Sequence, residues 1–266
     1  MTITKKSIII TGASSGLGKA LAIKYSQSNN NIRLFLLARN NKRLDQVVEI
    51  CKNNGAFVFP FIVNVEDKEE LSKIINDIAK HYGIDYIYAV AGVSAGTLDG
   101  METNVQVEKI FATNLNGVLN TIMPAIPKMI ERRSGKIILI SSMAGLLGLS
   151  SSPSYSASKS AVIAFGQGLA GYLKQYNIDV SIIIPGYIKT PMTEVNNFPM
   201  PFMISAEKAA TKIIQNVDKG KIIIAFPLTT YFMLKLLNLL PGKLIRYINS
   251  KMPGKPAFED NSDEKG

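Results

Sequence analysis

Seven short runs rich in Ile, Val and Leu punctuate this chain, at 7–11, 32–38, 56–63, 84–90, 135–141, 178–184 and 221–225. They are largely continuous rather than alternating. A strand apolar on both faces must be covered on both faces, which excludes an open antiparallel sheet with one wet side. Helical patterns separate the runs, at 15–28, 41–53, 67–82, 105–132, 153–176 and 206–219, so successive strands are joined by crossovers. The combination predicts a single Rossmann-like α/β domain, doubly wound, with a central parallel sheet of about seven strands flanked by helices. Pro124 and Pro127 are expected to bend or interrupt the 105–132 helix.

The rest of the chain subdivides by composition. Residues 1–225 carry the strand and helix alternation, 226–254 form an apolar, basic extension of the same domain, and 255–266 are polar and expected to be disordered. Met1–Lys6 runs directly into a strand, so no secretory leader is expected and a cytoplasmic protein is. Cys51 is the single cysteine and His81 the single histidine, which excludes internal disulfides and a thiolate or polyhistidine metal site. Cys51 is expected to pack near a helix end and His81 to cap one. The net charge of +10 comes from basic residues scattered among apolar helices, without the tight Lys/Arg run of a nucleic-acid site. A dinucleotide phosphate or an anionic membrane surface is the better match.

Chemistry concentrates in two places. Thr11-Gly12-Ala13-Ser14-Ser15-Gly16-Leu17-Gly18 follows the first apolar run. Glycines there let the backbone turn tightly and approach a pyrophosphate, and the helix that follows presents free N–H groups. After the second run stand Ala38-Arg39-Asn40, where a carboxylate would otherwise hold a ribose 2′-hydroxyl. Arg39 instead suits a 2′-phosphate, with Ser15, Lys42 and Arg43 nearby, so NADP(H) is the expected cofactor and NAD(H) stays open. Asn64 and Val65, after the third run, are placed to meet the adenine. The second place is Tyr155 and Lys159, four apart on one helix face, with Ser142 thirteen residues before the tyrosine. An ammonium beside a phenol is expected to lower the phenol pKa and ready it as a proton donor.

These motifs resemble those of the short-chain dehydrogenase/reductase family, over residues 5–225. The resemblance implies a cofactor loop in Gly12, Ser14, Ser15, Gly16, Leu17 and Gly18, with Ala91 and Gly92 beside it. It implies a catalytic set in Asn114, Ser142, Tyr155 and Lys159, and a nicotinamide-side segment in Pro185, Gly186, Ile188 and Thr190. Tyr155 would protonate the substrate oxygen, Ser142 would orient it, Lys159 would tune Tyr155 and hold the ribose, and Asn114 would anchor a water. Ser141 is the decoy hydroxyl, turned away by strand alternation. The chain departs from the family at Ala89-Val90-Ala91-Gly92, where two asparagines usually precede Ala-Gly.

The implied activity is reduction of a ketone or 3-oxoacyl-like carbonyl. The alternative is a cofactor-binding regulator or membrane-associated scaffold without turnover. Residues 192–204 resemble the family's mobile substrate loop, and Phe198, Met200, Phe202 and Met203 suggest an apolar substrate. Residues 226–251 either close the pocket, pack in an oligomer or lie on a membrane; the apolar run is too short to span one. Small residues on the 153–176 helix (Ala161, Ala164, Gly168, Gly171) and the resemblance imply a homodimer or homotetramer.

Overall fold

Every pairing in the main sheet is parallel. The computed structural model describes residues 5–28, 31–97, 100–251 and 254–257. Strand β1 (Lys6–Thr11) leads into helix α1 (Gly16–Ser26), then β2 (Ile32–Ala38), α2 (Asn41–Asn53), β3 (Phe57–Ile62), α3 (Lys68–His81) and β4 (Tyr86–Ala89). The second half runs α4 (Asn104–Phe111), a π-helical turn Ala112–Asn116, α5 (Gly117–Ile122), α6 (Ile126–Arg132) and β5 (Gly135–Ile140). It continues through α7 (Pro153–Leu173), β6 (Ile178–Pro185), β7 (Ile188–Lys189), α8 (Pro191–Glu194), β8 (Ile204–Ser205), α9 (Ala206–Asp218) and β9 (Ile223–Phe226). Two short helices, α10 (Leu228–Leu237) and α11 (Gly242–Asn249), follow.

The sheet order is β3-β2-β1-β4-β5-β6-β9, so strand order reverses between β1 and β4. That reversal opens a crevice at the carboxyl ends of these two strands. Burial on both faces follows from the apolar runs themselves. Ile8 and Ile10 of β1 join Leu34, Leu36 and Ile138 under α1, α2 and α9. The alternate residue, Ile9, joins Phe35, Ile87 and Leu139 under α3, α5 and α7. Pro60 is tolerated because β3 is an edge strand, where a missing N–H faces away from the ladder. Cys51 is fully buried in the first cluster, as a small apolar side chain. His81 bonds the Asp77 carbonyl at 3.0 Å in the last turn of α3.

The structure differs from the sequence reading in three places. The 105–132 segment is interrupted at Pro124 as expected, where Met123–Ala125 separate α5 from α6, but Pro127 sits in the first turn of α6, where proline is tolerated, and a π-helical turn parts α4 from α5. The π-helical turn before α5 has no proline and no sequence signal. The two-residue strands β7 and β8 pair with each other apart from the main sheet and are too short to leave a pattern. Finally, Lys255–Ala257, expected in a disordered tail, lies against the main body: Gly96 N–H donates to the Pro256 carbonyl at 2.7 Å. Residues 258–266 of that tail lie outside the described residues.

Candidate active site

A cleft of about 1330 Å³ runs along the carboxyl ends of β1, β2, β4, β5 and β6. The parallel register brings the loops that follow these strands to one side of the sheet. Gly12, Ser14, Ser15, Gly16, Leu17, Gly18, Arg39, Asn64, Val65, Ala91, Gly92, Ser142, Tyr155, Lys159, Pro185, Gly186, Ile188 and Thr190 all line it. Asn114 does not.

The glycine loop is a steric necessity at two points. Gly12 has φ +67°, and a Cβ there would lie 2.9 Å from the backbone of Ala91. Gly18 is in the first turn of α1, and a Cβ would lie 2.2 Å from the Gly12 carbonyl oxygen. Only glycine lets β1, α1 and the 89–92 loop approach this closely, and this bare backbone suits a pyrophosphate. Beside Ala89 and Val90, the positions at which the family's asparagines are expected, Thr11 cross-ties the strands. Its hydroxyl donates to the Tyr88 carbonyl at 3.3 Å and accepts the Val90 N–H at 3.1 Å.

At the far end of the cleft, Arg39, Lys42 and Arg43 are exposed around the start of α2, and Asn40 caps that helix by accepting the Arg43 N–H at 2.8 Å. Glu66 is a carboxylate within reach of the Arg39 charge. Burial pushes its pKa up, but hydrogen bonds from Thr113 and Lys109 and the charges of Lys109 and Arg39 outweigh that and hold it below the usual range. Val65 is buried against Gly117, where a Cβ would lie 2.6 Å from the valine side chain.

At the other end, α7 projects Tyr155 and Lys159 toward the end of β5. The Ser142 hydroxyl stands near enough to the Tyr155 phenol to favour its ionised form, while its oxygen accepts the Ala144 N–H at 3.1 Å. Lys159 is buried, donates to the Ile140 carbonyl at 3.0 Å, and lies 5.8 Å from the centre of the Tyr155 ring. Burial pushes its ammonium down to about 8. Burial also pushes the Tyr155 phenol above its ordinary value, against the pull of the Ser142 hydroxyl. The sequence reading expected a lowered phenol. The ammonium is turned to a backbone carbonyl instead, so desolvation wins. Ser141 is spent on the Lys159 carbonyl at 2.8 Å.

Asn114 stands behind this group in the π-helical turn, fully buried. Its carbonyl accepts the Val93 N–H at 2.8 Å, and its amide donates to the Val93 carbonyl at 2.9 Å and to Ser158 at 3.2 Å. Those contacts clamp the 91–94 loop to α7.

A family model described as short chain dehydrogenase matches residues 6–199. The chain belongs to the short-chain dehydrogenase family. Its members are NAD(P)-dependent oxidoreductases acting on carbonyl and alcohol groups. It is 32% identical over 195 residues to a 3-oxoacyl-(acyl-carrier-protein) reductase of Thermotoga maritima, covering 73% of this chain and 78% of that one. An uncharacterized oxidoreductase of Myxococcus xanthus is 30% identical over 240 residues, 90% of this chain and 94% of that one. In fold, the chain is similar to a short-chain dehydrogenase/reductase from Burkholderia phymatum in complex with NAD. The TM-score is 0.80 at 20% identity, covering 97% and 99% of the two chains.

Sequence reasoning missed most of the substrate side. Phe198 stacks edge-on to Tyr187 at 6.1 Å, and Phe202 and Met203 face solvent. None of Phe198, Met200, Phe202 and Met203 lines the cleft; Met192 does. No residue of the C-terminal helices lines it either, but they hold the 146–150 loop that follows Ser142. Asn238 of α10 donates to the Leu146 carbonyl, and Asn249 of α11 donates to the Gly148 carbonyl and accepts the Ser150 N–H at 3.1 Å. Lys255 then donates to Ser94 Oγ at 2.6 Å, with its ammonium 5.7 Å from the centre of the Tyr155 ring. Burial pushes that ammonium down to about 8. The one sequence signal for these tethers is the apolar, basic character of 226–254.

Proposed function

We propose that this short-chain dehydrogenase uses NADPH to reduce an apolar ketone or 3-oxoacyl-like carbonyl to an alcohol, reversibly, with Tyr155 as proton donor. The observation that carries the reading is the convergence of Ser142, Tyr155 and Lys159 in the same cleft as the glycine loop, with the Lys159 ammonium 5.8 Å from the centre of the Tyr155 ring. The cofactor supplies the hydride when bound. Gly12, Ser14, Ser15, Gly16, Leu17, Gly18, Ala91 and Gly92 would hold its phosphates. Asn64 and Val65 would hold its adenine, and Pro185, Gly186, Ile188 and Thr190 its nicotinamide end. The steric need for glycine at positions 12 and 18 supports this fit. Arg39, Lys42 and Arg43, with no acidic residue at the end of β2, support a 2′-phosphate and hence NADP(H).

The chain's own chemistry is proton placement. Burial keeps the Tyr155 phenol protonated at neutral pH, as a general acid requires. The Ser142 oxygen accepts the Ala144 N–H, which fixes the hydroxyl in the cleft, where it would turn its hydrogen to the substrate oxygen and orient it. As Tyr155 gives up its proton, the Lys159 ammonium stabilises the phenolate that remains. At about 6 Å and an effective dielectric near 20 that attraction is roughly 3 kcal/mol. Lys159 would also hold the ribose hydroxyls. Asn114 acts as a positioning residue through Val93 and Ser158.

The substrate class is supported by the likeness to 3-oxoacyl reductases. A homodimer or homotetramer is supported by the outward small residues Ala164, Gly168 and Gly171 on α7. A panel of carbonyl compounds graded by chain length and ring size, read by NADPH absorbance, tests the reading. Turnover that rises with apolar size is expected. An inert panel, or tighter binding of NADH than NADPH, overturns it.

A further inference from the structure

The outer side of α10 is apolar where a helix on a protein surface is ordinarily polar. Leu228, Phe232, Leu236 and Leu239 recur at a spacing that stacks side chains in one stripe, and they are 59, 63, 66 and 79% exposed. Tyr231, Leu234 and Leu237, on the opposite side, pack into the cluster of Met143, Leu147 and Ile184. A helix apolar on both sides has a partner missing from one of them. On α11, Leu244 and Tyr247 extend the exposed patch while Ile245 turns inward. Continuous apolar patches of this kind mark contact surfaces.

Charge selects the occupant. Residues 219–255 contain seven Lys and Arg and no Asp or Glu. Lys235, Lys243, Arg246 and Lys251 are exposed around the apolar stripe. A second copy docked about a two-fold axis would set this wholly basic rim against itself. An anionic bilayer matches it instead. Lys and Arg stems lie along apolar surface while their heads meet lipid phosphates, and Leu and Phe enter the acyl boundary. Among the described residues no helix is long and apolar enough to cross a membrane, so the contact is interfacial.

We propose that α10 and α11 form a docking face for anionic lipid bilayers. The face is joined to the active site, because Asn238 and Asn249 hold the 143–152 loop that links Ser142 to Tyr155. Docking therefore sets the mouth of the cleft at the surface in which an apolar carbonyl compound dissolves. That consequence rests on the reductase reading; the docking does not, and its test needs no turnover.

The full-length protein is sedimented with vesicles of phosphatidylcholine alone and of phosphatidylcholine mixed with phosphatidylglycerol. Binding to the mixed vesicles only, weakened by added salt, is expected. The double substitution Phe232→Glu, Leu236→Glu should abolish it. Lys243→Gln and Arg246→Gln should each weaken it roughly fivefold. All these side chains are exposed, and an unchanged melting curve confirms the fold of each variant. Absence of sedimentation with anionic vesicles, or equal sedimentation of the Phe232→Glu, Leu236→Glu variant, overturns the proposal. So does a stable dimer that this variant breaks, which would assign the face to a second copy.

Discussion

The two ends of the cleft are built by different means. At the cofactor end, backbone meets backbone: β1 and β4 pair directly, and Gly12 and Gly18 pack where no Cβ fits. At the substrate end, side chains reach across 92 to 161 residues of sequence, Asn238 to Leu146, Asn249 to Gly148 and Lys255 to Ser94. The first arrangement tolerates almost no substitution. The second consists of exposed or half-buried polar tethers, each of modest worth. A fold that holds the nucleotide rigidly and attaches the loop after Ser142 by tethers can change substrate while keeping its cofactor.

The comparison is most easily broken at Gly18. Gly18→Ala forces the first turn of α1 away from the Gly12 carbonyl, costing about 1–3 kcal/mol of stability. Loss of detectable nucleotide binding by fluorescence titration is expected. Wild-type affinity in that variant would mean that the loop is not a steric cradle.

Lys159 tests the junction of the two ends through pH. Its ammonium is pushed down to about 8 from an ordinary 10.5. Below about pH 8 the folded chain bears the full cost of a buried charge. The cost fades between about 8 and 10.5, as the folded chain has released a proton that the unfolded chain still holds. Lys159→Met should therefore be inactive yet more stable than the parent at pH 7, by up to about 3 kcal/mol, with the gap closing toward pH 10.5. Urea unfolding at the two pH values reads this, and a less stable variant at pH 7 contradicts it.

Smaller effects sharpen the contrast. Arg39→Asp should weaken NADPH roughly 10- to 100-fold and strengthen NADH, as a charge-assisted contact is replaced by repulsion. Competitive titration of the two nucleotides checks it, and an unchanged ratio would assign the 2′-phosphate elsewhere. Truncation before Lys255 removes the ammonium that lies over Tyr155. A several-fold gain in kcat/KM for bulky carbonyls with unaltered cofactor affinity is expected. A loss of cofactor affinity would mean that the tail belongs to the rigid end.

What was legible in the sequence follows the same division. Ile8-Ile9-Ile10 announces a strand buried on both faces because each residue has its own cluster to fill. The glycine loop and the Tyr155–Lys159 spacing are local patterns, and local geometry is enough to read them. The π-helical turn at Asn114 left no mark, and the bonds Asn114 makes to Val93, 21 residues away, are not a local pattern. Pocket closure by residues 226–251 is among the sequence expectations, but the particular tethers were illegible for a similar reason. Nothing in residues 226–257 says that their polar side chains meet the 143–152 loop or Ser94. The direction of the Tyr155 shift was misjudged because sequence spacing gives proximity to Lys159 but not the Ile140 carbonyl that claims its ammonium.

Tyr155→Phe tests the central claim most directly, since it removes one oxygen and leaves the ring in place. Single-turnover reduction of a carbonyl substrate should slow about 100- to 10,000-fold, with NADPH affinity by fluorescence titration unchanged. A variant that reduces the substrate at the parent's rate would contradict the account.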